Sequence, residues 1–265
     1  MEEICRRIRR DIITLLYKAQ TCHLGSDLSV VEILSTLYFK VLRDYDKFLS
    51  SEGHVAAAFY LVLAEKGYFK KEELFDTYAK EGTKFLNLIH NEVPGVLISS
   101  GALGHGLPVA IGLAMAKKLN HEPGRIFCLI SDGELDCGTT WESALLAAHH
   151  NLDNLVLIIN NNQIQACGFK KDILNVDPIG KKFEAFDWEV REVDGHDVKE
   201  LEWAFNRIDD ERSYSDIDWI PKLKPLVIIA NTIKGKGVSF AEDQVDWHYR
   251  NLSESEYLDA MKQLE

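Results

Sequence analysis

Residues 130–164 read ISDGELDCGTTWESALLAAHHNLDNLVLIINNNQI. The apolar run RIFCLI ends in Ser131-Asp132-Gly133, a helical stretch follows, and a second apolar run, LVLII, ends in Asn160-Asn161-Asn162. Two short apolar runs separated by a helical segment make a β–α–β unit, the connection that parallel strands require. Such a unit sets two strand ends side by side, and ligands of parallel sheets bind at the carboxyl ends of the strands. Here each end is tipped with an oxygen ligand, which suits a hard cation carrying a diphosphate. Mg²⁺ takes about six oxygens at about 2.0–2.1 Å. A carboxylate oxygen of Asp132, the amide oxygen of Asn162 and the backbone carbonyl of Ile164 could supply three of them. Gly133 lets a phosphate approach the main chain closely. Asp-Gly or Asn-Asn alone is most simply a turn after a strand; the pairing of the two across one crossover is what points to a site.

The rest of the chain fits a doubly covered sheet. Apolar spacing predicts helices over 4–19, from Ser26 or Asp27 as cap to about 41, and over 55–66, 71–80, 107–119, 140–150 and 197–207. Strands are predicted at 126–130, 155–159, 188–193 and 226–231, and residues 43–54 read as a loop. Strands alternating with helices imply an α/β fold, a mostly parallel sheet with helices on both faces. Asp132, Asn162, Asp194 and Asn231 all fall at or just after strand ends. Two capping boxes are predicted, Thr139-x-x-Glu142 and Ser253-x-x-Glu256, the second opening a closing helix. Nothing divides the chain, so residues 1–265 read as one domain.

Bulk properties exclude several functions. The net charge of -12 argues against a nucleic-acid surface. The five cysteines form no C-x-x-C pair, which disfavours zinc and fits a reducing compartment. Cys128 reads as a small strand hydrophobe. The charged start MEEICRRIRR is not a signal peptide, and no apolar run reaches the ~18–20 residues of a membrane span. A cytoplasmic protein without a membrane association is expected.

Taken in order, IRRDIITLLYKAQTCHLGSDLSVVEIL, GHVAAAFYLVLAEKGYF, PGVLISSGALGHGLPVAIGLAMAKKL, the 130–164 stretch, FEAFDWEVREVDGHD and NTIKGKGVSFAEDQVDWH resemble the N-terminal half of transketolases, above all the N-terminal subunit of split transketolases. The 130–164 stretch is similar to the thiamine-diphosphate signature. The resemblance implies the thiamine-diphosphate-binding fold and a thiamine-diphosphate- and Mg²⁺-dependent transfer of a two-carbon ketol unit between small sugars. It gives Asp132, Asn162 and the Ile164 carbonyl as Mg²⁺ ligands. It gives His54, Leu103, Gly104, Gly106, Gly133, Glu134 and His248 as further cofactor contacts. His23, His54, His248 and His90 become the catalytic histidines, although Ile89 and Asn91 replace the glycine and proline that usually flank the last. On this resemblance the pyrimidine-binding and C-terminal domains are expected to be absent, and with them the glutamate that activates the cofactor. The resemblance therefore implies a separate C-terminal, pyrimidine-binding partner subunit, inactivity without it, and a two-fold heterotetramer or a self-associating dimer.

The sequence also departs from the family. Ser131 replaces a glycine. Cys137 stands where a glutamate joins an acidic network between two active sites, with Asp136 as a partial substitute. Glu52 stands where Lys or Asn is common, and its charge would be unfavourable close to a diphosphate. These changes leave open an alternative: a catalytically silent homologue acting as a binding or regulatory subunit.

Overall fold

The computed structural model describes residues 1–206 and 224–265. Five strands form one wholly parallel sheet: β1 (Lys47–Ser50), β2 (Ile126–Ser131), β3 (Leu155–Asn161), β4 (Glu189–Asp194) and β5 (Leu226–Asn231), in the order β1-β2-β3-β5-β4. β2 and β3 are direct neighbours, with Ser131 in register with Asn160, so the two ligand-bearing ends do lie side by side.

The helices fall on two faces because strand side chains alternate. Phe127, Leu129, Val156, Ile158, Leu226 and Ile228 point into one core. It is filled by α1 (Glu2–Ala19), α2 (Leu24–Ser29), α3 (Val31–Thr36) and α4 (Ala56–Glu65). The short α5 (Lys71–Thr77) contributes Leu74 to the same core. Ile126, Cys128, Ile130, Leu157, Ile159 and Val227 point the other way. They pack against α6 (Gly106–Leu119) and α7 (Gly138–His149), the crossover helix of the β2–β3 unit. The one-turn α8 (Lys170–Ile173) leads to α9 (Ile179–Ala185), which adds Ile179 and Phe183 to this second core. On the first face α10 (Val198–Phe205) and α11 (Glu254–Gln263) complete the cover. Each strand at the centre is buried on both sides, and Cys128 is fully buried as a free thiol. Among the described residues no helix is long and apolar enough to cross a membrane.

Several local expectations change. The loop over 43–54 contains β1, a four-residue edge strand paired to β2. The helix expected up to about residue 41 is broken at Val30, which has φ -99° and ψ 2°, and it ends in a π-helical turn, Leu37–Val41. Beside the break the Ser29 hydroxyl donates to the Ser26 carbonyl, a local bond that competes with the helical ladder. Neither Ser26 nor Asp27 caps this helix. Both lie inside α2, and the Asp27 carboxylate accepts instead from the Ala58 N–H in the first turn of α4. Thr139 forms no capping box. α7 begins one residue earlier, and the Thr139 hydroxyl donates to the Gly104 carbonyl at 2.8 Å. The Ser253–Glu256 box is present as expected. The helix expected over 197–207 is seen from Val198 to Phe205, capped by the Asp197 carboxylate; residue 207 lies outside the described residues.

Candidate active site

At the end of β2 the chain turns through a 3₁₀ segment, Asp132–Asp136, and Asp132 is left 2% exposed. Its Oδ2 accepts from the Gln163 N–H at 2.7 Å, which clamps the end of β2 to the loop after β3. Asn162 Oδ1 accepts from the Ile164 N–H at 3.0 Å, an Asx turn that directs the following carbonyl. Asp132, Gly133, Asn162 and Ile164 all line one cavity of about 670 Å³. Burial pushes the Asp132 carboxyl up to about 6, although Lys170, the Gln163 N–H and Lys234 all favour its ionised form. A cation would relieve that cost.

His23, His54 and His248 line the same cavity. They come from the N-terminus of α2, the turn after β1 and a 3₁₀ turn near the C-terminus, and their ring centroids lie 5.2–5.8 Å apart. Burial is the largest influence on two of them, with neighbouring positive groups adding to it: His23 is pushed down to about 4 and His248 to about 2. These two rings are neutral at pH 7. His23 Nδ1 is buried without a hydrogen-bond partner, on a residue that lines the cavity.

Other expected residues are placed differently. Leu103 lines the cavity, whereas Gly104, Gly106, Glu134 and His90 do not. Glu134 is fully buried and accepts from Ser51 Oγ at 2.5 Å, from the Gly104 N–H at 2.8 Å and from the Ser131 N–H at 3.2 Å. Its carboxyl pins the 103–106 loop to the end of β2, and burial raises it to about 7 against those three donors. The His90 N–H donates to the Tyr60 hydroxyl at 2.9 Å. Glu52 is also fully buried and does not line the cavity, so its charge does not face a ligand there directly. Asp194 and Asn231 stay at the sheet edge, where Asn231 Oδ1 accepts from Asn161.

Lys234, set aside at the sequence level as part of an incomplete phosphate-loop pattern, Lys234-Gly-Lys236-Gly, touches two cavity residues without lining the cavity itself. It is 1% exposed, and its ammonium donates to the Ile164 carbonyl and to His248 Nδ1, each at 3.0 Å. Burial lowers it to about 8, while Asp132 and Glu52 hold it up. The available signal was a lysine just after a buried strand, followed by Gly235 and Gly237, both at positive φ. Gly25 makes room for its stem, since a Cβ there would lie 3.0 Å from Lys234 Cγ.

Comparison with known proteins identifies the family. The family described as "Transketolase, thiamine diphosphate binding domain" matches residues 2–264. The chain belongs to the transketolase family. An apulose-4-phosphate transketolase subunit of Actinobacillus succinogenes is 41% identical over 94% of this chain and 90% of its own length. A 6-deoxy-6-sulfo-D-fructose transketolase subunit of a Clostridium species is 34% identical, over 97% of this chain and 94% of its own. Among solved structures, the transketolase of Campylobacter jejuni superposes with a TM-score of 0.87 at 28% identity, covering 99% of this chain. The chain spans only 42% of that enzyme's length.

The residues present fit the cofactor that gives the family domain its name. Among the described residues no group of three or more His, Cys, Asp or Glu side chains could hold a metal. A set with one carboxylate, one amide and a carbonyl matches Mg²⁺, which is usually bound by one or two carboxylates together with substrate phosphates. A Cβ on Gly133 would meet no atom closer than 3.5 Å, so the protein itself does not require glycine at this cavity wall. Of the departures from the transketolase pattern, Cys137 packs against Gly104 at the start of α7. Beside it, Asp136 Oδ2 accepts from Gln165 Nε2 at 2.8 Å.

The loop over this site depends on glycine. A Cβ on Gly106 would lie 2.3 Å from Ser51 Cβ, so Gly106→Ala is expected to cost about 1–3 kcal/mol by overpacking. Thermal melts of the free chain check this. At Gly112, on the same helix and with nothing within 4 Å, alanine is expected to raise stability by roughly 0.4–1 kcal/mol. Equal effects at the two positions would refute the steric account.

Proposed function

We propose that this chain is the diphosphate-binding subunit of a two-subunit transketolase-like enzyme that transfers a two-carbon ketol unit between sugars. The observation that carries the reading is the convergence of Asp132, Asn162 and Ile164 with three imidazoles on one cavity. Asp132, Asn162 and Ile164 would hold Mg²⁺, and Lys234 would add positive charge beside the diphosphate. Gly133 leaves the main chain open to close approach. What thiamine diphosphate supplies when bound is an electron sink for breaking and forming the bond beside a ketose carbonyl. The neutral rings of His23 and His248 can accept and orient sugar hydroxyls, and His54 can exchange protons with them. His90, which does not line the cavity, would act through the loop that carries it.

A separate chain of the C-terminal, pyrimidine-binding type would complete the site. Relatives that this chain matches over nine-tenths of their length are named as subunits, which supports that division. The assembly we propose is a two-fold heterotetramer in which each active site lies between subunits. The test is ketose-donor turnover by the chain alone and with a transketolase-type C-terminal subunit, alongside calorimetry with thiamine diphosphate and Mg²⁺. Turnover is expected only with both chains. Full turnover by this chain alone would refute the two-subunit reading, and absence of cofactor binding with both chains present would favour a silent homologue.

A further inference from the structure

Glu52 has a structural situation that its cofactor-facing neighbours do not share. It is fully buried, off the cavity, and its Oε1 lies 3.2 Å from His54 Nε2. Its two oxygens also accept from Asn160 Nδ2, at 3.1 and 3.3 Å. Asn160 is itself fixed: its Nδ2 donates to Ser29 Oγ at 3.0 Å and its Oδ1 accepts from Thr232 Oγ1 at 2.6 Å. One amide thus ties α2, the end of β3 and the exit of β5 to the Glu52 carboxylate, which cannot swing away from the ring.

A carboxylate oxygen facing an imidazole nitrogen at this distance decides which nitrogen carries hydrogen. Two lone pairs turned toward each other repel, whereas an N–H turned toward a carboxylate attracts. In a neutral ring with hydrogen on Nε2, the lone pair is on Nδ1. We propose that Glu52 is a positioning residue that holds His54 in its Nε2–H form and so makes Nδ1 the atom with which His54 accepts a proton in the cavity. The tautomer stands on the geometry alone; its use in proton transfer rests on the ketol-transfer reading.

The surroundings single out His54 within the cluster. The rings facing it are His23, at the N-terminus of α2, and His248, from the C-terminal turn; Asp27 from α2, Lys234 from the exit of β5 and Asp132 from the end of β2 interact electrostatically with Glu52. Of the three clustered imidazoles, His54 alone has a carboxylate within ion-pair distance among the described residues. His23 and His248 are pushed down mainly by burial, and the Asp27 carboxyl is pushed well above the carboxylate range by burial. Lys234 meets His248 directly. Glu52 thereby separates one imidazole from two others that would otherwise be alike.

Long-range ¹H–¹⁵N correlations of the histidine rings, recorded on the free chain at pH 8, read the tautomer without any cofactor. His54 is expected to show a protonated Nε2 and an unprotonated Nδ1, with His54→Gln identifying its signals. Glu52→Gln is expected to populate the opposite tautomer, because the amide can present either an oxygen or an N–H to the ring. Glu52→Asp is expected to keep the Nε2–H form. With the partner subunit, thiamine diphosphate and Mg²⁺, Glu52→Gln is expected to lower kcat by about 10-fold or more with little change in KM. A wild-type Nδ1–H ring, or an unchanged tautomer in Glu52→Gln, would overturn the proposal. Should the Gln variant not fold, the wild-type spectrum decides alone. Failure of the ketol-transfer reading would appear separately, as absent turnover with a normal His54 tautomer.

Discussion

The Asp132→Asn variant is expected to melt at a higher temperature than the wild-type chain when both are free of ligands, and to lose stabilisation by thiamine diphosphate with Mg²⁺. The two effects have one cause. Burial raises the Asp132 carboxyl from its ordinary 3.8 to about 6. A carboxyl whose folded value lies above its unfolded value stabilises the fold fully only below the unfolded value, and this is lost as pH rises through the folded one. For Asp132 the loss runs from about pH 4 to about pH 6, and it amounts to roughly 3 kcal/mol at one unit per 1.4 kcal/mol. An amide at this position keeps an oxygen for the Gln163 N–H and has no charge to desolvate. The same exchange removes the one carboxylate in the proposed ligand set, and a drop of at least about 100-fold in Mg²⁺-dependent cofactor affinity should follow. Melting curves at pH 4 and pH 7.5, with and without Mg²⁺ and thiamine diphosphate, check both halves. The stability gain should be present at pH 7.5 and vanish at pH 4. A variant that melts lower and still binds the cofactor would refute the assignment. Function here is held at the expense of the free protein's stability, a pattern common at sites built for a charged ligand.

The central sheet was legible because its inner strands are uninterrupted apolar runs that end in polar turns. RIFCLI, LVLII and LVIIA can hardly be anything but strands buried on both faces. β4 is an edge strand with only two apolar residues, Val190 and Val193, which lie three apart and so point to opposite faces, Val193 into the first core and Val190 against the second. β1 was missed because it offers no uninterrupted apolar run. Its four residues, KFLS, sit in a polar segment, and they form a strand only because β2 is there to pair with. The break at Val30 was equally hidden, since Leu28, Val31 and Leu34 keep a helical spacing on either side of it and all are buried.

The same distinction governs the site. Asp132 and Asn162 could be read because their position follows from the strands that precede them. The meeting of His23, His54 and His248 followed from family resemblance, since nothing local joins three histidines so far apart in the chain. Lys234 was set aside because its partners, the Ile164 carbonyl and His248, become neighbours only once β5 lies beside β3. Glu52 was legible as a charge but not as a direction. The sequence places it two residues before a cavity histidine; the structure turns it behind that ring and against Asn160. The charge of Glu52 is thus turned onto the ring of His54.

Replacing Glu32 with Gln is expected to remove about 3–5 kcal/mol of stability at pH 7, because it leaves Arg9 buried without its counter-charge. Glu32 Oε2 accepts from Arg9 Nη2 at 2.7 Å and lies 2.9 Å from His196 Nδ1, while Arg9 Nη1 reaches Oε1. Burial alone would raise the Glu32 carboxyl, but the hydrogen bonds and charges of His196 and Arg9 outweigh it and hold it at about 2 against an ordinary 4.5. A carboxyl depressed in the folded state contributes stability that is fully present above its unfolded value and is lost as pH falls through its folded one. The gap between wild type and Glu32→Gln should therefore be widest above pH 4.5 and shrink as pH approaches 2. Urea melts at pH 7, 4.5 and 3 measure it; a gap at pH 3 equal to that at pH 7 would exclude the ion pair as its source. The consequence extends to the site. His196 Nε2 accepts from the Ile233 N–H at 2.8 Å, and Arg9 Nε donates to the Lys236 carbonyl at 3.1 Å. The network thus anchors, on both sides, the turn that carries Lys234. Loosening it should also weaken binding of thiamine diphosphate with Mg²⁺ to the folded variant, through a residue that lines no part of the cavity.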